Sequence, residues 1–126
     1  MYSGGLDTES GKHGVYICVW CGDITHVVFH TATLMPTLPD DDQCVNKRMH
    51  IDNRHVTIVY NDSGAPFQRD WLSGGAVNFA YIIVQPMGDD LFKVSTDIRE
   101  GMDSVLSIMT DRVVSADTVG VFSRQL

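Results

Sequence analysis

The chain has 126 residues, 44% of them hydrophobic and 20% charged, the balance of one globular domain or part of one. Its net charge of -7, from 16 acids against 9 bases, argues against nucleic acid as a partner, because a phosphate-backbone binder needs a basic face. No apolar run approaches the roughly 18 residues that span a bilayer, and Met1-Tyr2-Ser3-Gly4-Gly5 lacks the basic end and apolar stretch of a signal peptide. The expectation is a cytoplasmic chain without a transmembrane segment. Cys18, Cys21 and Cys44 are too few and too irregular for a disulfide framework.

In chain order, residues 1–14 are rich in glycine and polar side chains and read as a loop. Residues 15–20 are apolar strand formers between Gly14 and Gly22, which predicts a buried strand. From Asp23, a plausible N-cap, Ile24, Val27, Val28, Thr31 and Leu34 follow helical spacing. That predicts a helix over 23–34, stopped before Pro36, with His26 and His30 one turn apart on it. Pro36, Pro39 and Asp40-Asp41-Asp42 make a loop, the acids reading as solvated surface. A short helix over 42–49 follows, with Lys47 and Arg48 near its end.

Residues 56–60 predict a second strand, and Asn61-Asp62-Ser63-Gly64-Ala65-Pro66 a turn. Residues 77–84 and 92–97 predict a hairpin joined by Met87-Gly88-Asp89-Asp90. Residues 102–109 suit a short helix, 112–114 a short strand and 115–126 a helix with Ala116, Val119 and Phe122 on one side. Tyr60, Phe79 and Tyr81 read as core or sheet-face residues. The sum is a mixed α/β domain, a central sheet with flanking helices.

Most reactive-site patterns fail on spacing. Cys18 and Cys21 with His26 and His30 resemble zinc-ligand pairs. The gap between the pairs is four residues, against the roughly 12 to 15 of a finger. Strand alternation also turns the two cysteines to opposite faces, so small buried hydrophobes explain them better and no metal is expected. Trp20-Cys21-Gly22 would need its second redox cysteine where Ile24 stands. No nucleophile elbow is present. Ser3-Gly4-Gly5 and Ser73-Gly74-Gly75 lack the lysine and spacing of a phosphate loop, so no bound nucleotide is expected.

His50-Ile51-Asp52-Asn53-Arg54-His55 packs polar and ionisable groups between a predicted helix and a predicted strand. By composition it reads as a connecting loop in which Asn53 tolerates a left-handed backbone. Followed by Val56-Thr57-Ile58-Val59-Tyr60-Asn61-Asp62-Ser63-Gly64, it resembles the GTPase-activating domains of the Rap-GAP family, and among them the tuberin branch. Four further blocks agree in order along almost the whole chain. They are Gly4-Gly5-Leu6-Asp7; Asp23-Ile24 with Val28-Phe29-His30 and Ala32-Thr33-Leu34-Met35-Pro36-Thr37; Val77-Asn78-Phe79 with Ile83-Val84 and Pro86; and Phe122 with Arg124 and Gln125.

The resemblance implies a Rap-GAP-like fold, truncated at both ends within 1–126. It implies stimulation of GTP hydrolysis by a small Ras-like G protein without an arginine finger. An asparagine thumb enters the partner's nucleotide site, and its carboxamide positions the attacking water. The family motif puts this catalytic residue at Asn53. His50 falls at a supporting or partner-binding position, and Lys47 and Arg48 at basic positions facing the G protein. The chain would need no cofactor of its own, since GTP and Mg belong to the partner. Rheb is the first partner implied, with Rap or Ral as alternatives. Hamartin would join through regions outside this chain, and recruitment to a lysosomal or vacuolar surface would follow from such a complex.

In the motif segment three positions depart from the family pattern, Met49 for an arginine, Asp52 for a glycine and Arg54 for an aspartate, and the early strand block also differs at Cys21 and Gly22, where the tuberin branch has polar residues. Asp52 brings negative charge toward a phosphate site unless a base such as Arg54 offsets it. The alternative they raise is a G-protein-binding module with weakened catalysis.

Overall fold

The computed structural model describes residues 4–7, 9–72, 77–102 and 111–126. The chain divides into two compact units, Met1–Asn53 and Arg54–Leu126.

In the first unit β1 (Cys18–Cys21) and β2 (His26–Phe29) form an antiparallel hairpin, with Cys18 opposite Phe29 and Cys21 opposite His26. This replaces the helix predicted over 23–34. The Gly22 N–H donates to the Thr25 carbonyl at 2.7 Å and closes a tight turn, which leaves Ile24 at its tip, 98% exposed. Val27 and Val28 are β-branched and fit a pleated ladder better than a helix. The expected helix end survives as a single 3₁₀ turn, Ala32–Leu34. His26 and His30 therefore share no helix face. Nor is the first strand buried: pairing begins at Cys18, Val15 and Tyr16 are exposed, and so are Cys18 and Cys21.

Gly14 holds the loop before β1 where only glycine fits. Its φ is +91°, and a Cβ would lie 2.3 Å from the Leu34 carbonyl oxygen. The last element of the unit is α1 (Val45–Ile51), which falls where a short helix was expected and runs on through His50.

The second unit is a four-stranded mixed sheet in the order β3 (Val56–Tyr60), β4 (Ala80–Gly88), β5 (Leu91–Ile98), β6 (Arg112–Ser115), followed by α2 (Ala116–Gln125). β3 and β4 are parallel, so residues 61–79 must carry the chain back across, and the remaining pairs are antiparallel. Asp89 and Asp90 turn the β4–β5 hairpin with φ of 53° and 57°, the doubly left-handed geometry that matches strand twist.

β4 starts three residues later than expected because Asn78 is drawn into the interior. Its amide donates to Thr57 Oγ1 at 3.0 Å, while the Phe79 N–H donates to the His55 carbonyl at 2.7 Å. Pro86 sits beyond the Tyr60–Val84 pair, where β3 no longer runs alongside and a missing N–H is tolerated.

Residues 80–84 are buried on both faces of the sheet, as an unbroken apolar strand should be. On one face Ile82, Val84 and Val94 form the core, and Phe92, Val114, Val119 and Phe122 pack against them. α2 thus buries the side predicted for it, apart from Ala116, which stays exposed. On the other face Tyr81 meets Phe67 at a ring distance of 5.1 Å and the Arg69 guanidinium at 5.9 Å. Tyr60, expected at the core or sheet face, is exposed, and Phe79 is half-buried and stacks on His55 at 4.9 Å. The helix expected over 102–109 lies almost wholly outside the described residues.

Candidate functional site

α1 is only seven residues long, too short to persist on local propensity. Its first turn is held by a carboxylate from outside the helix. Asp41 Oδ1 accepts the Val45 N–H at 2.7 Å and Oδ2 accepts the Asn46 N–H at 2.8 Å. The N-cap residue itself, Cys44, is left-handed and offers no side-chain cap. One member of the acidic run expected to be solvated surface is thus the clamp on the site helix. An acid shortly before a helix start is a capping signal, and that signal was available in the sequence.

The inner side of α1 is tied to the loop before β1 and to the end of the hairpin. Asn46 Nδ2 donates to the Lys12 carbonyl at 2.8 Å. His50 is buried, 8% exposed. The His13 ring meets it edge-on at 4.1 Å between centroids, and the His30 ring at 5.7 Å. His30 Nε2 in turn donates to the Gly4 carbonyl at 3.0 Å. Gly4 must be glycine for this approach: at φ +65°, a Cβ would stand 2.7 Å from His30 Nε2.

The helix ends at Asp52, whose N–H donates to the Arg48 carbonyl at 2.8 Å. Arg48 and His50 lie in this last turn, where the helix dipole favours positive charge. Asn53 follows in a bend and is exposed. Among the described residues, the left-handed ones other than glycine are Cys44, Asp89 and Asp90, so Asn53 does not serve as a left-handed turn residue.

Of the other expected site residues, Lys47 is half-buried, Arg48 is exposed, and Arg54 is exposed as the first residue of the second unit. His50 is not a surface group offered to a partner. Asp52 is half-buried, and its Oδ1 is enclosed without a hydrogen-bond partner among the described residues. No group of three His, Cys, Asp or Glu side chains is placed to hold a metal ion among the described residues. No helix among them is long and apolar enough to cross a membrane.

Beyond Asp41, sequence reasoning missed Asn46 and His13, and it placed His30 on a helix face. No local pattern marks these three, because their partners are distant along the chain.

The arrangement presents a carboxamide from a short, externally clamped helix end. Such a group both donates and accepts hydrogen bonds.

The Rap/ran-GAP family profile matches residues 1–126. The tuberous sclerosis 2 protein homolog of Schizosaccharomyces pombe is 33% identical over 100 residues, 79% of this chain and 7% of that protein. The RapA guanosine triphosphatase-activating protein B of Dictyostelium discoideum is 27% identical over 86 residues, 68% of this chain and 20% of that protein. The chain therefore spans a small part of these relatives. Among solved structures, the TSC2 GAP domain superposes with a TM-score of 0.86 at 31% identity, covering 99% of this chain and 68% of that one. The chain belongs to the Rap/Ran-GAP family.

Proposed function

We propose that the chain stimulates GTP hydrolysis by a small Ras-like G protein by placing the Asn53 carboxamide in the partner's nucleotide site. The observation that carries this reading is the exposed Asn53 at the end of α1, a helix clamped at its start by Asp41 and along its inner side by Asn46 and His50. Phosphoryl transfer asks for positioning and electrostatics more than covalent chemistry. A carboxamide can accept from the attacking water while its N–H₂ faces a phosphate oxygen. Lys47 and Arg48 would meet the acidic surface of the partner, and Arg54 would offset Asp52. The GTP and Mg would be the partner's own.

Similarity to tuberin-type domains makes Rheb the first partner to test, with Rap and Ral beside it. Assembly with hamartin, through regions outside this chain, and action at a lysosomal or vacuolar surface belong to the same proposal.

The test is single-turnover phosphate release from GTP-loaded Rheb, Rap and Ral. Acceleration by the chain is expected with at least one of them, and Asn53→Ala should remove about 10²- to 10³-fold of it, the usual cost of losing one transition-state hydrogen-bonding group. Equal acceleration by both would remove Asn53 from the mechanism. Stable binding of the GTP form without acceleration would favour the second reading, a binding module weakened by Met49, Asp52 and Arg54.

A further inference from the structure

β3 is an edge of the sheet in the second unit: β4 lies on one side of it and, among the described residues, no strand lies on the other. We propose that this edge joins a second copy of the chain, β3 pairing antiparallel with the same strand of the other copy about a two-fold axis at Ile58. The proposal concerns the second unit alone and does not depend on the role given to Asn53.

The backbone fixes which residues face outward. The Asn61 N–H donates to the Val84 carbonyl at 2.8 Å, and the His55 carbonyl accepts the Phe79 and Ala80 N–H groups at 2.7 and 3.2 Å. Residues 55 and 61 thus turn their peptide groups toward β4. That direction alternates along a strand, so Thr57 and Val59 also point to β4. Val56, Ile58 and Tyr60 then hold their N–H and C=O groups toward the open edge. Their side chains are in register with Ala80, Ile82 and Val84, on the sheet face where α2 packs over Ile82 and Val84. At this margin α2 leaves them 48%, 44% and 60% exposed.

Sheet edges are usually guarded against pairing by a charge, a proline or a bulge. Val56-Thr57-Ile58-Val59-Tyr60 has no charge and no proline, and its register with β4 is unbroken. The opposite edge is guarded. β6 begins at Arg112, and Asp111 just before it pairs with Lys93 of β5 at 2.6 Å.

The strand is complementary to itself, which selects a second copy as the occupant. With Ile58 opposite Ile58, Val56 of each copy stands opposite Tyr60 of the other. All of these residues aim their peptide groups into the joint, enough for about six hydrogen bonds. Each end gains an aromatic pair with a β-branched residue, a favourable cross-strand match. The same register brings Arg54 of each copy alongside Asp62 of the other, both exposed and of opposite charge. Registers centred elsewhere shorten the joint or separate these two charges. A two-fold axis normal to the sheet also keeps faces together, so the two exposed apolar stripes become one. The net charge of -7 on each copy opposes approach, but physiological salt screens it beyond about 8 Å. The joint is small beside the roughly 1,200 Å² of a stable interface, so a weak dimer is expected, with Kd on the order of 10⁻⁴ M.

Sedimentation equilibrium of the whole chain between about 10 µM and 1 mM tests this, the mass rising from 14.0 kDa toward twice that value. At that Kd the monomer fraction falls about fourfold over the range. Amide exchange of Val56, Ile58 and Tyr60 should slow about fourfold with it, while Thr57 and Val59, already bonded to β4, stay constant. Ile58→Lys sets two like charges against each other at the axis and should hold the chain monomeric throughout. Asp62→Arg should weaken the dimer about fivefold by opposing Arg54, although it lowers the net charge that general repulsion depends on. A chain monomeric at 1 mM, or one that grows beyond a dimer, overturns the proposal, leaving the edge to a different strand or to open-ended association. So does an Ile58→Lys chain that dimerises like wild type, or protection gained at 57 and 59 in place of 56, 58 and 60. Should Ile58→Lys not fold, the alternation of protection in the wild type still decides. Affinity unchanged or raised in Asp62→Arg overturns the register centred on Ile58.

Discussion

Asp41→Ala tests whether the site helix depends on a clamp from outside itself. The carboxylate receives two backbone N–H groups, at 2.7 and 2.8 Å, and sits at the positive end of a seven-residue helix. Losing an N-cap costs about 1 kcal/mol, and the charge–dipole attraction adds a few tenths to 1. Hydrogen bonds to a charged group would suggest more, about 1.5–3 kcal/mol each, but Asp41 is half-buried and water replaces part of what is lost. A net cost of about 2 kcal/mol follows, or about 30-fold in the population of closed α1. Amide exchange should show the Arg48 and Asp52 amides opening by that factor while β4 holds. Asp41→Asn keeps an acceptor for one amide and loses the charge, so about half the free energy and about fivefold are expected. If Asp41→Ala leaves these amides within about twofold of wild type, the clamp does not hold the helix and the account of how Asn53 is presented is wrong.

Three further outcomes follow from the structure. Val94 on β5 is fully buried in the cluster with Ile82 and Val84 against which Val119 and Phe122 of α2 pack, so Val94→Ala should cost about 2–3 kcal/mol from two lost methyls and the residual cavity, read as a lower urea midpoint at unchanged slope. The Asp7 carboxyl is held down at about 2 by Ser10 Oγ and by the amides of Glu9 and Ser10. A pKa depressed by folding adds stability above the unfolded value of about 4, lost as pH falls from there toward 2. Ser10→Ala should move that titration upward, as seen by carboxyl NMR; an unmoved titration would show that Ser10 is not the main cause. Arg69 grips Asp97 through Nε at 2.7 Å and Nη2 at 2.5 Å and also reaches the Ile98 carbonyl at 2.7 Å. The Asp97 bond pushes the guanidinium pKa further up, yet both side chains are more than a third exposed. Arg69→Lys should therefore cost no more than about 1 kcal/mol in urea unfolding, and a larger loss would mean the contact with Tyr81 matters more than the ion pair.

The sheet of the second unit was legible in the sequence because its strands carry their own signals. Residues 56–60 are β-branched and aromatic, residues 80–84 form an unbroken apolar run, and two aspartates after a glycine mark the hairpin turn. α2 was legible for the same local reason, its apolar residues recurring at helical spacing. Asn53 and its basic neighbours were singled out through the family motif and not through any property of the segment alone. Tertiary structure was needed to show Asn53 exposed and His50 buried.

Residues 23–34 show where local reasoning fails. Their apolar spacing fits a helix, but Val27 and Val28 fit a strand equally well, and only pairing with β1 decides between them. A long-range contact also draws Asn78 out of its expected strand, toward Thr57 on β3. The composition and periodicity of this chain determine the elements that are stable on local grounds. The meeting of residues 13, 30 and 50 depends on chain closure over tens of residues, a property no window of sequence contains.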